Sequence, residues 1–298
     1  MKSRVVVLVS EDRSDVYFAN QLLKSLAVAG IVVERQRKKY LRQGMIRKAV
    51  RFLKEPAKWD KIIEKLDAWK AKRYWKRDNN ENNTHFGVEG DRVTNPAPCP
   101  VIYTAGCNDI NDPIYRENIR AMAPDIIAVC GTSILGREML AIPRLGTLNL
   151  HGGLSQAYRG VWTTHWALIN EEPEYIGATV HYVNDRIDDG DILYQGRPDI
   201  ETDDNPATLY IKVVKLGIQM MIRAIRDVDD GTAQGHSLEK KGKIYRNSMM
   251  DNAVFRMSWK KTEAGVLRRY LQDKAKRDST VNSLLKGAFS EAAHERQL

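Results

Sequence analysis

The first apolar run is short and unbroken, VVVLV at 5–9. A continuous β-branched stretch of that length fits a strand covered on both faces. From 15 to 29, Val16, Phe18, Ala19, Leu22, Leu23 and Leu26 recur at helical spacing and make one apolar stripe. IVV at 31–33 reads as a second strand, so the chain opens β-α-β, the start of a parallel α/β sheet. The alternation then stops. Ile46, Val50, Leu53, Trp59, Ile62, Ile63, Leu66 and Trp69 recur at roughly helical spacing, interrupted by Pro56. That predicts two amphipathic helices. The following 78–91, DNNENNTHFGVEGD, is polar and Asn-rich and reads as a loop. The α/β pattern resumes with a strand over 100–105 and a helix over 112–121 that has Pro113 at its start. A strand over 125–132, a short helix over 137–141 and a strand over 147–150 (TLNL) come next. A helix is predicted over 161–170, and strands over 178–183 and 192–195 are joined by NDRIDDGD. A long helix over 206–225 aligns Leu209, Val213, Leu216, Met220 and Ala224 on one face. Beyond 228 the chain is polar, with a helix near 265–273, and no internal repeat is present.

Charge changes this picture in one place. The net charge is +9, but residues 35–77 hold 17 Lys/Arg against 4 Asp/Glu, a local net of +13, so the remainder is net −4. The predicted helices there have cationic outer faces, and an anionic partner could meet them. Trp59, Trp69, Tyr74 and Trp75 interleave with the bases, as stacking surfaces for nucleic acid would, although a solvated face over core tryptophans explains them as well. With 298 residues, 43% hydrophobic and 29% charged, the chain can bury a sizeable core and reads as soluble. No stretch approaches the roughly 20 apolar residues of a membrane span. The first apolar run is too short for a signal-peptide core. Cys99, Cys107 and Cys130 are odd in number and show no paired spacing, which fits free thiols in a reducing cytoplasm. With His85 the nearest histidine, no metal site is expected there.

The chemistry concentrates in NLHGGLSQAYRG, residues 149–160. Asn149 and His151 are two apart, so a strand puts both side chains on one face. They close an apolar strand, at the end where open parallel sheets bind ligands. An amide is a neutral donor suited to a developing oxyanion. A histidine can hold or move a proton near neutral pH. Gly152 and Gly153 keep bulk away from the pair. IDDGD at 187–191 adds a carboxylate on a nearby turn. Alone, N-x-H on a strand or D-D-G in a turn is more often structural. Together with Y-R-G, and with an aspartate turn 37 residues after the histidine, the pattern is restrictive.

NLHGGLSQAYRG followed by GATVHYVNDRIDDGDILYQ resembles the folate-dependent formyltransferase family, over about 124–225 and more loosely over the first strand and helix. The resemblance implies an α/β fold with an open, mostly parallel Rossmann-like sheet and helices on both faces. To it are added a basic helical insert and a C-terminal extension. The implied divisions are 1–228 for the catalytic domain, with 34–98 as insert and loop, and 229–298 for the extension. The implied catalytic trio is Asn149, His151 and Asp188. Asp188 is preferred to Asp189 because it lies two before Gly190 and seven after His181. The donor, 10-formyltetrahydrofolate, is expected against Thr132, Ser133, Ile134, Leu135, Asn184 and Asp185, largely through main-chain groups. Gly152, Gly153, Tyr158 and Arg159 are expected near the acceptor, Tyr158 and Arg159 being equally readable as holding the loop. No metal is implied. The family's usual Ser-Leu-Leu-Pro run after the histidine is replaced by Gly152–Ala157, which leaves the loop's detailed shape open.

The acceptor is a primary amine, with three classes open. Glycinamide ribonucleotide enzymes have a glycine-rich phosphate loop after the first strand, and here SEDRSD (10–15) supplies three acids and no glycine. Methionyl-tRNA enzymes carry a C-terminal β-barrel, whereas 229–298 lacks regular alternation; the basic segment could still grip tRNA phosphates. An amino sugar linked to a nucleotide is the preferred reading. A nucleic-acid- or membrane-surface-binding protein on the same scaffold is the reading from another class, and a homodimer stays open. Packing roles are expected for His165 and Trp166, and a structural role for His181.

Overall fold

A computed structural model describes residues 2–35, 58–94, 99–184 and 186–289, with the main chain alone for 58–62. The strands form where β-branched runs were read. β1 (Val5–Ser10), β2 (Val28–Glu34), β3 (Val101–Tyr103), β4 (Ile126–Cys130), β5 (Gly146–His151), β7 (Ala178–Tyr182) and β8 (Ile192–Gly196) make one sheet in the order β3-β2-β1-β4-β5-β7-β8. Every pair from β3 through β5 is parallel, and β7 runs antiparallel to both its neighbours. The sheet is therefore open and mostly parallel. β7 pairs Asn149 with His181 and His151 with Thr179.

β1 is buried along its whole length because each face meets helices. Val5, Val7 and Val9 pack with Phe18, Ala19 and Leu22 of α1 (Arg13–Ser25). Val6 and Leu8 face the other way, onto Ile119 of α3 (Pro113–Ala121), Met122 and Met139 of α4 (Arg137–Leu140). Each fully buried aliphatic side chain contributes about 1.5–3 kcal/mol. α5 (Thr163–Ile169) and α6 (Pro206–Asp229) complete the first face. α6 starts at Asn205, whose side chain accepts from the Ala207 and Thr208 amides while Thr208 Oγ1 returns a bond to the Asn205 N–H. Its seat on β5 is close: a Cβ on Gly217 would stand 2.4 Å from Leu150 Cδ1.

One prediction fails. Residues 78–91 are not a loop but the second half of α2 (Lys58–Asp91), bent at Gly87 with φ 50°. Docking overrides the poor helix propensity of the asparagines. Phe86 is buried 5.1 Å from the Tyr17 ring, and Asn20 donates to the Glu89 and Arg92 carbonyls. The helix expected around Ile46, Val50 and Leu53 lies outside the described residues, as do the side chains of Trp59 and Ile62. Among the described residues no helix is long and apolar enough to cross a membrane.

The polar tail is ordered into small elements. β9 (Lys243–Tyr245) pairs in parallel with β6 (Tyr158–Gly160), in a two-stranded sheet apart from the main one. α7 (Asn252–Glu263), α8 (Val266–Gln272) and α9 (Lys274–Asn282) follow. They anchor to the domain through Trp75 stacked on Phe255 at 3.6 Å and through Arg197 paired with Asp278 at 2.6 Å.

Candidate active site

The end of β5 delivers Asn149 and His151 to one face, and the turn after β7 delivers Asp188 to meet them. Asp188 Oδ2 lies 3.5 Å from His151 Nδ1 and accepts the Gly160 N–H at 2.7 Å. Asp188 Oδ1 lies 3.6 Å from His181 Nε2. That nitrogen also lies 3.2 Å from the Asn149 side-chain nitrogen. One carboxylate thus sits between two imidazoles, one of which touches the amide.

The histidine rings are fixed from behind. His151 Nε2–H donates to the Tyr158 carbonyl at 2.9 Å, and His181 Nδ1–H donates to the Tyr182 carbonyl at 2.7 Å. Both ring nitrogens of His151 therefore face acceptors. Burial pushes the Asp188 carboxyl up. His151 first, with the Gly160 amide, outweighs it and holds the group well below the usual carboxylate range. Asp188 also adopts φ 46°, a left-handed conformation that Asp tolerates better than most residues at a cost of about 1 kcal/mol. The neighbouring Asp189 turns elsewhere, to Lys241 at 2.8 Å and Arg186 at 3.6 Å.

Glycines set the approach. A Cβ on Gly153 would stand 2.7 Å from His151 Nε2, and one on Gly190 would stand 1.7 Å from the Tyr182 carbonyl oxygen. Gly152, by contrast, has nothing nearer than Val213 at 3.9 Å, so the space beside it is open. Its carbonyl accepts from Thr163, and the Gly153 carbonyl accepts from Thr179 at 2.7 Å.

Of the two readings of Tyr158 and Arg159, the contacts are those of loop-holding. Arg159 is buried and donates to the Ile187 carbonyl, one residue before Asp188. The Tyr158 hydroxyl bonds Glu172 and Asn170, and burial, then the Glu172 contact, pushes it far above its ordinary value. Of the expected donor-site residues, Ser133 gives its N–H to Glu34 at 2.6 Å, and Thr132 Oγ1 bonds the Ser133 carbonyl. Ile134 is 72% exposed, whereas Leu135 points into the core. Asn184 holds the turn through the Asp189 carbonyl at 3.0 Å, and Asp185 lies outside the described residues. His165 is a packing residue as expected: its Nδ1 bonds Ser258 Oγ at 2.8 Å, and complete burial pushes its pKa down to about 3.

His181, expected in a structural role, joins the cluster through strand register. One contributor escaped the sequence reading. Gly160 donates to Asp188 because β9 fixes it, with the Tyr245 ring stacked on Tyr158 at 5.6 Å and on Trp166 at 4.6 Å. The pairing of Y-R-G with K-I-Y left no signal in the sequence, because three-residue strands give no periodicity to read.

The family model described as formyl transferase matches residues 4–225. A methionyl-tRNA formyltransferase of Chlorobium chlorochromatii (strain CaD3) is 29% identical over 152 residues, 51% of this chain and 48% of that protein. One of Syntrophus aciditrophicus (strain SB) is 34% identical over 43% of this chain and 40% of that protein. The chain thus spans about half the length, or less, of the curated relatives it matches. Among solved structures, a sugar N-formyltransferase from Shewanella sp FDAARGOS_354 shares the fold with TM-score 0.51 and 15% identity, over 87% of both chains.

Proposed function

The chain belongs to the formyl transferase family, whose members are folate-dependent enzymes, and on that premise we propose that it moves a formyl group from 10-formyltetrahydrofolate to a primary amine. The observation that carries this reading is the Asp188 carboxylate held between His151 and His181, with Asn149 touching the second ring. The neutral amine attacks the formyl carbon, a C–N bond forms, and the carbonyl oxygen becomes an oxyanion. The Asn149 amide has two hydrogens. One reaches His181, and the other donates to that oxygen. His151, braced by Asp188, stabilises the oxyanion and passes a proton to the departing folate N10 as its C–N bond breaks. The proton lost by the attacking nitrogen leaves through water toward the same carboxylate–imidazole pair. A carboxylate held so firmly ionised is a weak base alone, so its main effect is to orient the histidine.

The acceptor we propose is an amino sugar carried on a nucleotide. Two features favour it over the other classes. The turn after β1 carries Glu11 and Asp12, and the first turn of α1 carries a fully buried Asp15, where a phosphate-binding loop would present glycines. The described tail from Asn252 to Asn282 is helical rather than a β-barrel. The second reading, a tRNA-borne amine, rests on the names of the sequence relatives. Incubation with 10-formyltetrahydrofolate and a panel of amino-sugar nucleotides, glycinamide ribonucleotide and charged initiator tRNA tests both. The expected result is a formyl mass gain on an amino-sugar nucleotide, absent in His151→Ala. Gain on the tRNA alone selects the second reading, and no donor binding overturns both.

A further inference from the structure

α2 has two unlike faces. Inward, Ala71 and Tyr74 are fully buried, the Tyr74 ring stacks on Trp259 at 5.5 Å, and Trp75 lies flat on Phe255. These aromatic contacts fix which side of the helix looks out. Outward, Leu66, Trp69, Arg73 and Lys76 follow one another at spacings of three, four and three, a single helical stripe. Trp69 is 73% exposed, Ile63 53% and Leu66 47%, all within two turns. An open groove of about 980 Å³ borders this face between α2 and α7, with Trp69, Lys72, Arg73 and Lys76 on the α2 side, Tyr74 and Trp75 also in its lining, and Arg256 and Lys260 on the α7 side. Arg256 is paired with Asp67 and Arg73 with Glu263. Among the described residues, Lys70, Lys72, Lys76 and Lys260 have no acidic partner.

We propose that this face docks on an anionic phospholipid surface. The face offers two chemistries at once, and a bilayer surface uses both. Phosphate backbones and anionic headgroups both satisfy the lysines. Exposed aliphatic side chains such as Ile63 and Leu66 gain less from a nucleic acid, whose accessible surface is mostly phosphate and base, than from the acyl boundary of a bilayer. The headgroup–acyl boundary of a bilayer takes aliphatic groups, an indole and ammonium groups together, on an amphipathic helix lying in its plane. Each lysine near such a surface adds to the attraction, and the attraction falls with salt. The face is distinct from the Asn149–His151–Asp188 cluster and shares no residue with it.

The test is flotation of the full chain with vesicles of phosphatidylcholine alone and of phosphatidylcholine mixed with phosphatidylglycerol. Binding to the mixed vesicles alone, weakening with added salt, is expected. Leu66→Ala/Trp69→Ala and Lys72→Gln/Lys76→Gln should each reduce it at least about tenfold, as lost apolar area and lost charge both would. All four side chains are outward, and unchanged circular dichroism and formyl transfer show that the variants fold. Binding of oligouridylate in place of vesicles overturns the proposal. So does vesicle binding that both double variants leave intact. Self-association that Leu66→Ala/Trp69→Ala abolishes, without vesicle binding, overturns it in favour of a second copy of the chain.

Discussion

His181 stands opposite Asn149 across the β5–β7 ladder, with its Nε2 3.2 Å from the Asn149 amide nitrogen. Because His181 Nδ1–H is committed to the Tyr182 carbonyl, Nε2 in that tautomer accepts from the amide and sets its direction. The pair predicts a non-additive result. Asn149→Ala removes a donor used in the transition state and should lower kcat by about 10²–10³, with KM little changed. His181→Phe leaves the amide in place but undirected and should cost about tenfold. The double variant should be no slower than Asn149→Ala. Steady-state kinetics of the three proteins decide it, and additive losses would separate the two residues.

Gly160 predicts a stability effect. Its φ is 87°, and a Cβ there would stand 2.1 Å from the Tyr245 carbonyl oxygen, a main-chain atom of β9. Gly231 has a similar φ, 69°, with nothing within 4 Å. Gly160→Ala should therefore lose about 2 kcal/mol or more, against about 1 kcal/mol for Gly231→Ala. Thermal melts should separate the two by about 2 °C or more. Only Gly160→Ala should also lower formyl transfer, because its N–H holds Asp188. Equal melting shifts would show that the β6–β9 contact adjusts freely.

The contrast between these residues explains what the sequence discloses. β1 and α6 were legible because their side chains repeat with the period of the element, in unbroken runs and one apolar stripe. Asn149 and His151 were legible for the same reason: two apart on a strand end means one face. Asp188 could be chosen over Asp189 only through resemblance, and the choice matches the side that faces the histidines. His181 could not be placed, since facing Asn149 depends on the register of two strands brought together by folding. Residues 78–91 were misread because their letters are polar and their single strong anchor, Phe86, meets a helix about 70 residues away. β9 is three residues long and has meaning only beside β6.

Asp188 predicts a pH dependence of stability. Its carboxyl is held below the ordinary range despite burial. A depressed folded value contributes stability above the unfolded value of about 3.9, and the contribution is lost as pH falls toward the folded one. Asp188→Asn keeps a residue that tolerates φ 46° while removing the charge. Its melting temperature should be lower than the parent's at neutral pH, and the gap should narrow as pH falls below about 4. A gap constant across pH would mean that the carboxylate's charge adds nothing to the fold.

Asp15 predicts the opposite slope. It lies at the switch point between β1 and β4, fully buried, with Ser10 Oγ at 2.7 Å, Ser14 Oγ at 3.0 Å and Cys130 Sγ at 3.5 Å. A Cβ on Gly131 would stand 1.8 Å from Asp15 Oδ2, so the glycine makes room for the carboxyl. Burial, then the nearby Asp12, pushes its pKa up to about 7. Between about pH 4 and 7 the folded chain keeps a proton that the unfolded chain has lost, so stability falls as pH rises through that window and levels above it. The full effect is on the order of 4 kcal/mol. Asp15→Asn is neutral at every pH. It should flatten this descent, whatever it costs at pH 5 through the two serine contacts. The slope of melting temperature against pH is therefore the readout, not its level. An unchanged slope would put the titrating group elsewhere and leave Asp15 ionised in the fold, a carboxylate at the very place where an anionic ligand of this sheet would enter.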